Sequence, residues 1–302
     1  MVTDQLVIVR GGGDIATGTI WALRRAGFPV LILESSRPTA IRRTVALSEA
    51  VYEGTACVED LAVTLAHNLD EAQYLLFQDQ IAMMVDPEGH AIRDIIDTQE
   101  KYSEWDTGLT TLEGGGRHLF LTAVVDAILA KKNLGTKKGM APFVIALGPG
   151  FTAGEDCDVV IETMRGHRLG RPILQGCALP NTGVPGMIAG HAKDRVLHSP
   201  SEGILHTRAD IGDLVQEGQT ICVVEAQEGA QETEVRAPFT GILRGLIRDG
   251  FPVTEGFKIA DIDPRQSERE NCFTISDKAR AIGGAVVQEL VGFAARRAVD
   301  ET

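Results

Sequence analysis

A glycine-rich turn near the start of the sequence has the residue types and the spacing that bind phosphate. Gly11-x-Gly13-x-x-Ala16 fits the G-x-G-x-x-G/A pattern, in which the glycines allow a tight turn and close approach to a pyrophosphate. Glu34 follows Gly11 by 23 residues, near the place where a carboxylate accepts a hydrogen bond from a ribose hydroxyl. We therefore predict a nucleotide site formed by Gly11, Gly12, Gly13, Ala16 and Glu34. The alternative is that these residues serve turn geometry alone.

A second set of polar and glycine residues follows two later apolar runs, residues 118–129 and 141–151. These candidates for an anion or ligand site are Asp126, Lys132, Asn133, Gly148, Gly150, Cys157, Arg165, His167 and Arg171. In parallel α/β sheets, ligands gather beyond the carboxyl ends of the strands, and arginines bind phosphates and other oxyanions. The alternative is a solvated basic loop.

Cys157 stands between Asp156 and Asp158. Neighbouring carboxylates disfavour a thiolate, so this pattern favours a partly buried structural cysteine over a nucleophile.

The elements that would position these residues alternate between strands and helices. The apolar runs 6–10 and 29–35 predict buried strands on either side of a helix that begins after the glycines. The alternation continues and indicates an α/β fold with a Rossmann-like parallel sheet in the N-terminal and central region. We predict a Rossmann-like nucleotide-binding domain over residues 1–100 and a central α/β domain over residues 118–194.

The C-terminal part of the sequence contains an internal repeat with an offset of 38 residues. Pro200 pairs with Pro238 and Gly203 with Gly241, and the match continues to Ile221. Such a repeat indicates two similar β units that bury a core against each other. Residues 195–265 resemble a biotinyl/lipoyl-like barrel-sandwich domain, and residues 270–302 predict a C-terminal helix.

The predicted barrel has no lysine for a carrier function. Biotinyl and lipoyl domains carry their group on a lysine at the hairpin between the halves, where residues 225–228 here read EAQE. No lysine lies between Lys193 and Lys258. We therefore expect no biotin or lipoate.

Composition narrows the set of partners. The net charge of −13 argues against nucleic acid and anionic membranes, because phosphates attract Lys and Arg. We see no signal peptide and no apolar run of roughly 20 residues, so we expect a cytoplasmic protein without a membrane partner. The five cysteines are widely spaced without a CxxC pair, which predicts neither disulfides nor a metal site.

Several longer motifs resemble the YqeB family. They are RGGGDIATG, AKKNLGT, APFVIALGPGFTAG, IETMRGHRLGR, NTGVPG and LRGLIRDGFPVTEGFKIADIDPR. This resemblance implies a place in the selenium-dependent molybdenum hydroxylase system, with the hydroxylase or its maturation factors as partners. It supplies no settled catalytic residues, so none is assigned.

Three functions are compatible with these features. The first is an accessory protein in hydroxylase maturation that binds a nucleotide or a molybdenum-cofactor dinucleotide. The second is an NAD(P)-dependent oxidoreductase with His167 or Lys132 as proton donor. The third is a non-catalytic scaffold that docks a partner enzyme through the predicted barrel.

Overall fold

The computed structural model of the protein describes residues 2–102, 110–114, 117–183, 186–226 and 232–300. The chain forms two compact units. Unit 1 comprises Met1–Pro38, Ala46–Asn181 and Ile275–Thr302, and unit 2 comprises Thr39–Val45 and Thr182–Thr274. Unit 1 thus takes in most of both regions predicted as separate domains, residues 1–100 and 118–194. Residues 227–228 of the predicted hairpin tip lie outside the described residues.

Unit 1 is built on a large sheet. Its strands are β1 (Gln5–Arg10), β2 (Val30–Glu34), β3 (Thr55–Val58), β4 (Leu61–Ala66), β5 (Ile81–Val85), β6 (Thr110–Gly114), β7 (Arg117–Asp126), β8 (Phe143–Leu147), β9 (Thr152–Ala153), β10 (Val159–Ile161), β11 (Pro172–Ile173) and β12 (Gly176–Cys177). Ten of these form one sheet in the order β11-β10-β8-β7-β1-β2-β5-β4-β3, with β6 beside β7. The remaining two, β9 and β12, pair with each other.

In the described part of the chain, the α-helices all belong to unit 1. They are α1 (Asp14–Arg25), α2 (Ala50–Glu53), α3 (Leu69–Phe77), α4 (His90–Tyr102) and α5 (Asp277–Asp300). Short 3-10 helices cover Val2–Asp4, Arg43–Val45, Leu47–Glu49, Lys193–Arg195 and Gln266–Cys272. Among the described residues, no helix combines the length and the apolar character needed to cross a membrane.

The central strand β1 is buried because its residues Leu6–Val9 are all apolar. Parallel neighbours flank it on both sides, β2 and β7. The chain passes from β1 to β2 on one side and later enters β7 on the other. This reversal of direction places the carboxyl end of β1 at a point where ligands commonly bind in open α/β sheets.

The predicted fold class, a Rossmann-like parallel sheet followed by a biotinyl/lipoyl-like barrel, was wrong. The large sheet is mixed, because β3/β4, β6/β7 and β10/β11 are antiparallel pairs. The two-residue connection between β3 and β4, Glu59 and Asp60, is too short for the crossover that parallel strands need. The sheet also continues through both predicted α/β domains, since β1 pairs with β7.

Unit 2 consists of two separate four-stranded antiparallel sheets, which replace the predicted barrel. Its strands are β13 (Val196–His198), β14 (Gly203–Thr207), β15 (Leu214–Val215), β16 (Thr220–Glu225), β17 (Glu232–Arg236), β18 (Gly241–Leu246), β19 (Phe251–Val253) and β20 (Lys258–Asp263). The sheet orders are β13-β20-β18-β15 and β17-β16-β14-β19.

The 38-residue repeat is visible in the strands of unit 2. β16 and β20 occupy equivalent positions in the two halves, and so do β14 and β18. Exchanging the two halves converts one sheet order into the other. Both sheets contribute to one apolar core, which includes Leu205, Val224, Leu243 and Ile262.

Candidate functional site

The glycine-rich turn connects the end of β1 to the start of α1. Gly11 has a φ of +99°, a conformation that favours glycine. Its N–H donates to the Leu33 carbonyl at 2.8 Å. A Cβ at Gly11 would lie 3.0 Å from the carbonyl oxygen of Ala127. Gly11 therefore permits both the tight turn and the close approach of the chain that leaves β7.

Glu34, the last residue of β2, holds this turn by backbone hydrogen bonds. Its Oε2 accepts from the Gly12 N–H at 2.7 Å, and its Oε1 accepts from the Ser35 N–H at 2.6 Å. Ser48 confines Gly12 further, because its N–H donates to the Gly12 carbonyl at 2.9 Å. Each carboxylate oxygen has two lone pairs, so Glu34 retains acceptor capacity. Its contact with a ribose stays a prediction.

Gly13 leaves the start of α1 open. It is the N-cap residue, with φ −65° and ψ −179°, and has no side chain to cap the helix. A Cβ at this position would have no atom within 4 Å. The first N–H groups of a helix lack intrahelical partners and carry partial positive charge. The open side of Gly13 therefore leaves these N–H groups accessible, whereas Ala16 of α1 is fully buried.

Helix α5 packs against α1 through small residues. A Cβ at Gly18 would lie 2.5 Å from the Cβ of Ala279, and a Cβ at Gly283 would lie 2.4 Å from the Gly18 carbonyl oxygen and 3.0 Å from the Cβ of Ala22. Successive turns of α1 thus meet successive turns of α5 in the same direction. The two helix N-termini consequently lie side by side.

The first turn of α5 is fixed from two sides. The Ile275 N–H donates to Glu59 Oε1 at 2.7 Å. The guanidinium of Arg165 donates to both carboxylate oxygens of Asp277, at 2.9 and 3.0 Å. These contacts determine the place of the next residue, Lys278.

Lys278 brings an amine to this edge of unit 1. Burial lowers the pKa of Lys278 below its usual range. Of the neighbouring charges, Asp14 raises this pKa most, and Glu162 and Asp277 also raise it. Arg165 lowers it further. Asp14 is the first residue of α1, so the Asp14 carboxylate and the Lys278 amine come from the starts of two neighbouring helices.

Asp126, at the end of β7, faces the protein interior. Thr136 Oγ1 donates to Asp126 Oδ2 at 2.6 Å, and Arg10 Nη1 donates to the same hydroxyl oxygen at 2.5 Å. Asp126 and Arg10 are each 1% exposed. Burial raises the pKa of Asp126, although Thr136 and Arg10 oppose this shift. The carboxylate therefore anchors the segment that follows β7.

The space beside the glycines that follow β8 is occupied by other residues of the protein. A Cβ at Gly148 would lie 2.6 Å from Thr163 Oγ1, and one at Gly150 would lie 2.7 Å from the Lys132 backbone. The Lys132 side chain is exposed. Asn133 Oδ1 accepts two N–H groups of its own turn, at 2.9 and 2.8 Å. The structure thus gives Gly148, Gly150 and Asn133 a role in packing and turn formation.

Cys157 is fully buried. Burial, together with Asp156 and Asp158, raises the pKa of Cys157 to about 12. The thiol is therefore protonated at neutral pH and is a poor nucleophile.

The basic residues predicted to form an anion site have different surroundings. Arg165 is paired with Asp277, whereas the side chains of His167 and Arg171 are exposed. The Arg171 carbonyl accepts from the Glu162 N–H at 3.0 Å, which closes the segment between them. The structure does not join Arg165, His167 and Arg171 into a shared hydrogen-bond network in the described part of the chain.

The structure therefore brings together the Gly11–Gly13 turn, Glu34 and the start of α1, and it adds Lys278. Sequence reasoning missed Lys278 because this residue lies in the predicted C-terminal helix, where no motif for ligand binding was recognised. In the described residues, no group of three or more His, Cys, Asp and Glu side chains is arranged to hold a metal ion.

Comparison with solved structures gives only weak likenesses. An aspartoacylase family protein from Mesorhizobium loti is 12% identical with a TM-score of 0.29, covering 86% of this chain and 85% of that one. The product-bound ectoine utilization protein EutE (DoeB) from Ruegeria pomeroyi is 10% identical with a TM-score of 0.24, covering 85% and 84%. A succinylglutamate desuccinylase from Silicibacter sp. TM1040 is 14% identical, also with a TM-score of 0.24, covering 86% and 84%. At these scores the likenesses carry no argument about function.

Comparison with known sequences is more informative. No family model matches the chain. A curated protein of Escherichia coli (strain K12), "Uncharacterized protein YqeB", is 47% identical over 287 residues, which are 95% of this chain and 47% of that protein. The chain thus spans about half the length of its curated relative. Given this identity across nearly all of its residues, the chain belongs to the YqeB family.

Proposed function

We propose that this chain is an accessory protein in the maturation of selenium-dependent molybdenum hydroxylases and binds a nucleotide or a nucleotide-containing cofactor in unit 1. The observation that carries nucleotide binding is the open side of Gly13 at the start of α1. A phosphate there would meet helix N–H groups at the carboxyl end of the central strand.

The surroundings of Gly13 also limit the binding mode. The Gly12 N–H donates to Glu34, so the donors for phosphate are those of Gly13 and the first turn of α1. Gly11 and Gly12 are confined by the protein, since a Cβ at Gly12 would lie 3.0 Å from both Met83 and Ser48. The ligand therefore approaches from the side of Gly13.

A ligand screen tests nucleotide binding directly. The panel contains NAD, NADP, FAD, ATP, GTP, CTP and a cytosine-dinucleotide pterin, and the readout is the melting temperature of the full chain. A ligand at about 100 times its Kd adds about 2.7 kcal/mol of stability. For a unit of about 200 residues this corresponds to an increase of roughly 5–11 °C. Absence of a shift with every nucleotide would contradict the proposal.

A variant at Gly13 locates the site. Gly13→Ser places a hydroxyl where no atom lies within 4 Å, and serine is a favourable N-cap residue. We expect the stability of the unliganded protein to change by less than about 0.5 kcal/mol. The serine competes for the N–H groups that would bind phosphate, so affinity should fall about tenfold. The matched control is Gly284→Ser on the exposed side of α5, which should bind like the wild type.

The role in maturation needs a test in cells. In a host with a selenium-dependent molybdenum hydroxylase, loss of this gene should lower hydroxylase activity without lowering the amount of hydroxylase polypeptide. In the deleted strain, a gene that encodes the Gly13→Ser variant should restore hydroxylase activity less well than a gene that encodes the Gly284→Ser variant. Full hydroxylase activity in the deleted strain would contradict the role in maturation while leaving nucleotide binding to the ligand screen.

A further inference from the structure

Lys278 is a partly buried lysine in the first turn of α5. Lysines in proteins are mostly exposed, and a buried ammonium group normally has a paired carboxylate. Within the residues that the structure describes, no hydrogen bond or ion pair joins the Lys278 amine to another residue. In the described part of the chain, the ammonium group of Lys278 therefore makes no close polar contact.

The position of Lys278 is determined by tight packing. The next residue, Ala279, meets Gly18 at a distance that leaves no room for a side chain on α1. On the other side of α5, a Cβ at Gly170 would lie 3.2 Å from the Ala281 carbonyl oxygen. The start of α5 is therefore held between α1 and the segment after β10.

Two of the carboxylates near Lys278 are engaged elsewhere. Glu162 is 2% exposed, and its two oxygens accept the N–H groups of Met164 and Leu179, both at 2.8 Å. Asp277 is paired with Arg165. Their charges contribute to the potential at the lysine, but their hydrogen bonds are made with other groups.

Asp14 is the nearby acid on the opposite helix. Of the charged groups around Lys278, it raises the pKa of the amine most. It therefore favours the charged form of the lysine at the place where α1 begins. Because Ala279, the next residue, packs against Gly18, the start of α5 and with it Lys278 lies beside the first turns of α1.

We propose that the ammonium group of Lys278 binds a phosphate group of the ligand that lies against Gly13. This inference rests on the proposed function and adds a specific recognition residue to it. A lysine is a compact point charge and suits phosphate, with which it forms charge-assisted hydrogen bonds. The ligand class is therefore a pyrophosphate or a phosphate ester.

The experiment uses inorganic pyrophosphate, so it does not depend on which nucleoside the protein recognises. Binding to the full chain is measured by calorimetry for the wild type, Lys278→Met, Lys278→Arg and the exposed control Lys137→Met. Lys278→Met should weaken binding at least about tenfold, because a charge-assisted hydrogen bond is lost. Lys278→Arg should stay within about threefold of the wild type, since it keeps the charge, and Lys137→Met should bind like the wild type.

A second measurement needs no variant. The wild-type protein is treated with a limiting amount of an acetylating reagent that reacts with amines. Modification of Lys278 and Lys137 is then followed by mass spectrometry. Pyrophosphate should slow acetylation of Lys278 several-fold without affecting Lys137. A lysine with only a structural role would show no protection.

The outcomes separate this inference from the proposed function. Equal pyrophosphate binding by wild type and Lys278→Met, or lack of both binding and protection in the wild type, would overturn the role of Lys278. Nucleotide shifts in the ligand screen would then still support the proposed function. Conversely, pyrophosphate protection of Lys278 without any nucleotide shift would support the phosphate site and contradict nucleotide binding.

Discussion

The contact between α1 and α5 can be tested by adding one methyl group. Gly18→Ala would place a Cβ 2.5 Å from the Cβ of Ala279, 2.6 Å from its carbonyl carbon and 2.7 Å from its carbonyl oxygen. Favourable contacts between carbon atoms occur at about 3.5–4.0 Å. Two of the three atoms belong to backbone, so a side-chain rotation cannot relieve the conflict. The helices would have to separate by roughly 1 Å.

The expected loss of stability is the difference between two effects. Alanine favours a helix over glycine by about 1 kcal/mol. Overpacking in a filled interior costs about 1–3 kcal/mol, and the backbone contacts place Gly18→Ala at the upper end of this range. We therefore expect a net loss of about 2 kcal/mol, which lowers the melting temperature by roughly 4–8 °C.

The matched control is Gly284→Ala in α5. A Cβ there would meet no atom within 4 Å, so only the helix preference acts. This variant should gain about 0.5–1 kcal/mol. Denaturant unfolding followed by tryptophan fluorescence, to which Trp21 of α1 contributes, measures both variants.

The two variants should change the free energy of unfolding in opposite directions. If Gly18→Ala stabilises the protein as much as Gly284→Ala does, the two helices do not meet at the distance described. The placement of Lys278 near the start of α1 would then be refuted as well, because it depends on the same contact.

Two further predictions concern other parts of the chain. Arg195→Met should cost about 3–5 kcal/mol, since Arg195 donates to Asp261 at 3.0 Å and both residues are buried. Burial raises the pKa of Asp261 and Arg195 lowers it, so Arg195→Met raises this pKa further. Protonation of Asp261 then stabilises the folded variant more than the folded wild type, and the cost measured by denaturant unfolding should be larger at pH 8 than at pH 5. Iodoacetamide at pH 8 should modify the exposed Cys57 and Cys177 but not the buried Cys157. Peptide mass spectrometry measures the modification of each cysteine. Rapid labelling of Cys157 in the folded protein would contradict its described burial.

The sequence predicted local elements where neighbouring residues determine them. The apolar run 6–10 corresponds to β1 (Gln5–Arg10), and the run 29–35 contains β2 (Val30–Glu34). The C-terminal helix predicted over residues 270–302 corresponds to α5, and Ser276 before it accepts from the Ala279 N–H at 3.2 Å, as an N-cap serine does. Such features depend on hydrophobic patterning and on residues a few positions apart.

Strand direction was harder to predict because it depends on a partner elsewhere in the sheet. The strand β4 (Leu61–Ala66) was not anticipated, although its apolar residues alternate in burial. Only Glu59 and Asp60 separate it from β3, and Glu59 has a φ of +53°. A tight turn between two β-rich runs was the available signal for a hairpin.

The candidate ligand residues likewise divide into those whose geometry is determined locally and those whose surroundings depend on distant residues. The glycine turn was recognisable because its geometry arises within six residues, Gly11 to Ala16. The buried position of Asp126 depends on Thr136 and Arg10 and could not be read from its place at a strand end. A polar residue after a strand can anchor the next loop as readily as it can face a ligand.

Lys278 shows that the packing of two helices can bring a charged side chain to a place that no local sequence pattern predicts. It lies 264 residues after Asp14 in the sequence, and only the crossing of two helices brings them together. Small residues at the crossing, Gly18 and Gly283, let the backbones approach more closely than any larger side chain would allow. The glycines that bear on this site are therefore of two kinds. Gly13 leaves open space at the start of α1, whereas Gly18 and Gly283 let α5 pack closely enough to bring Lys278 beside that helix.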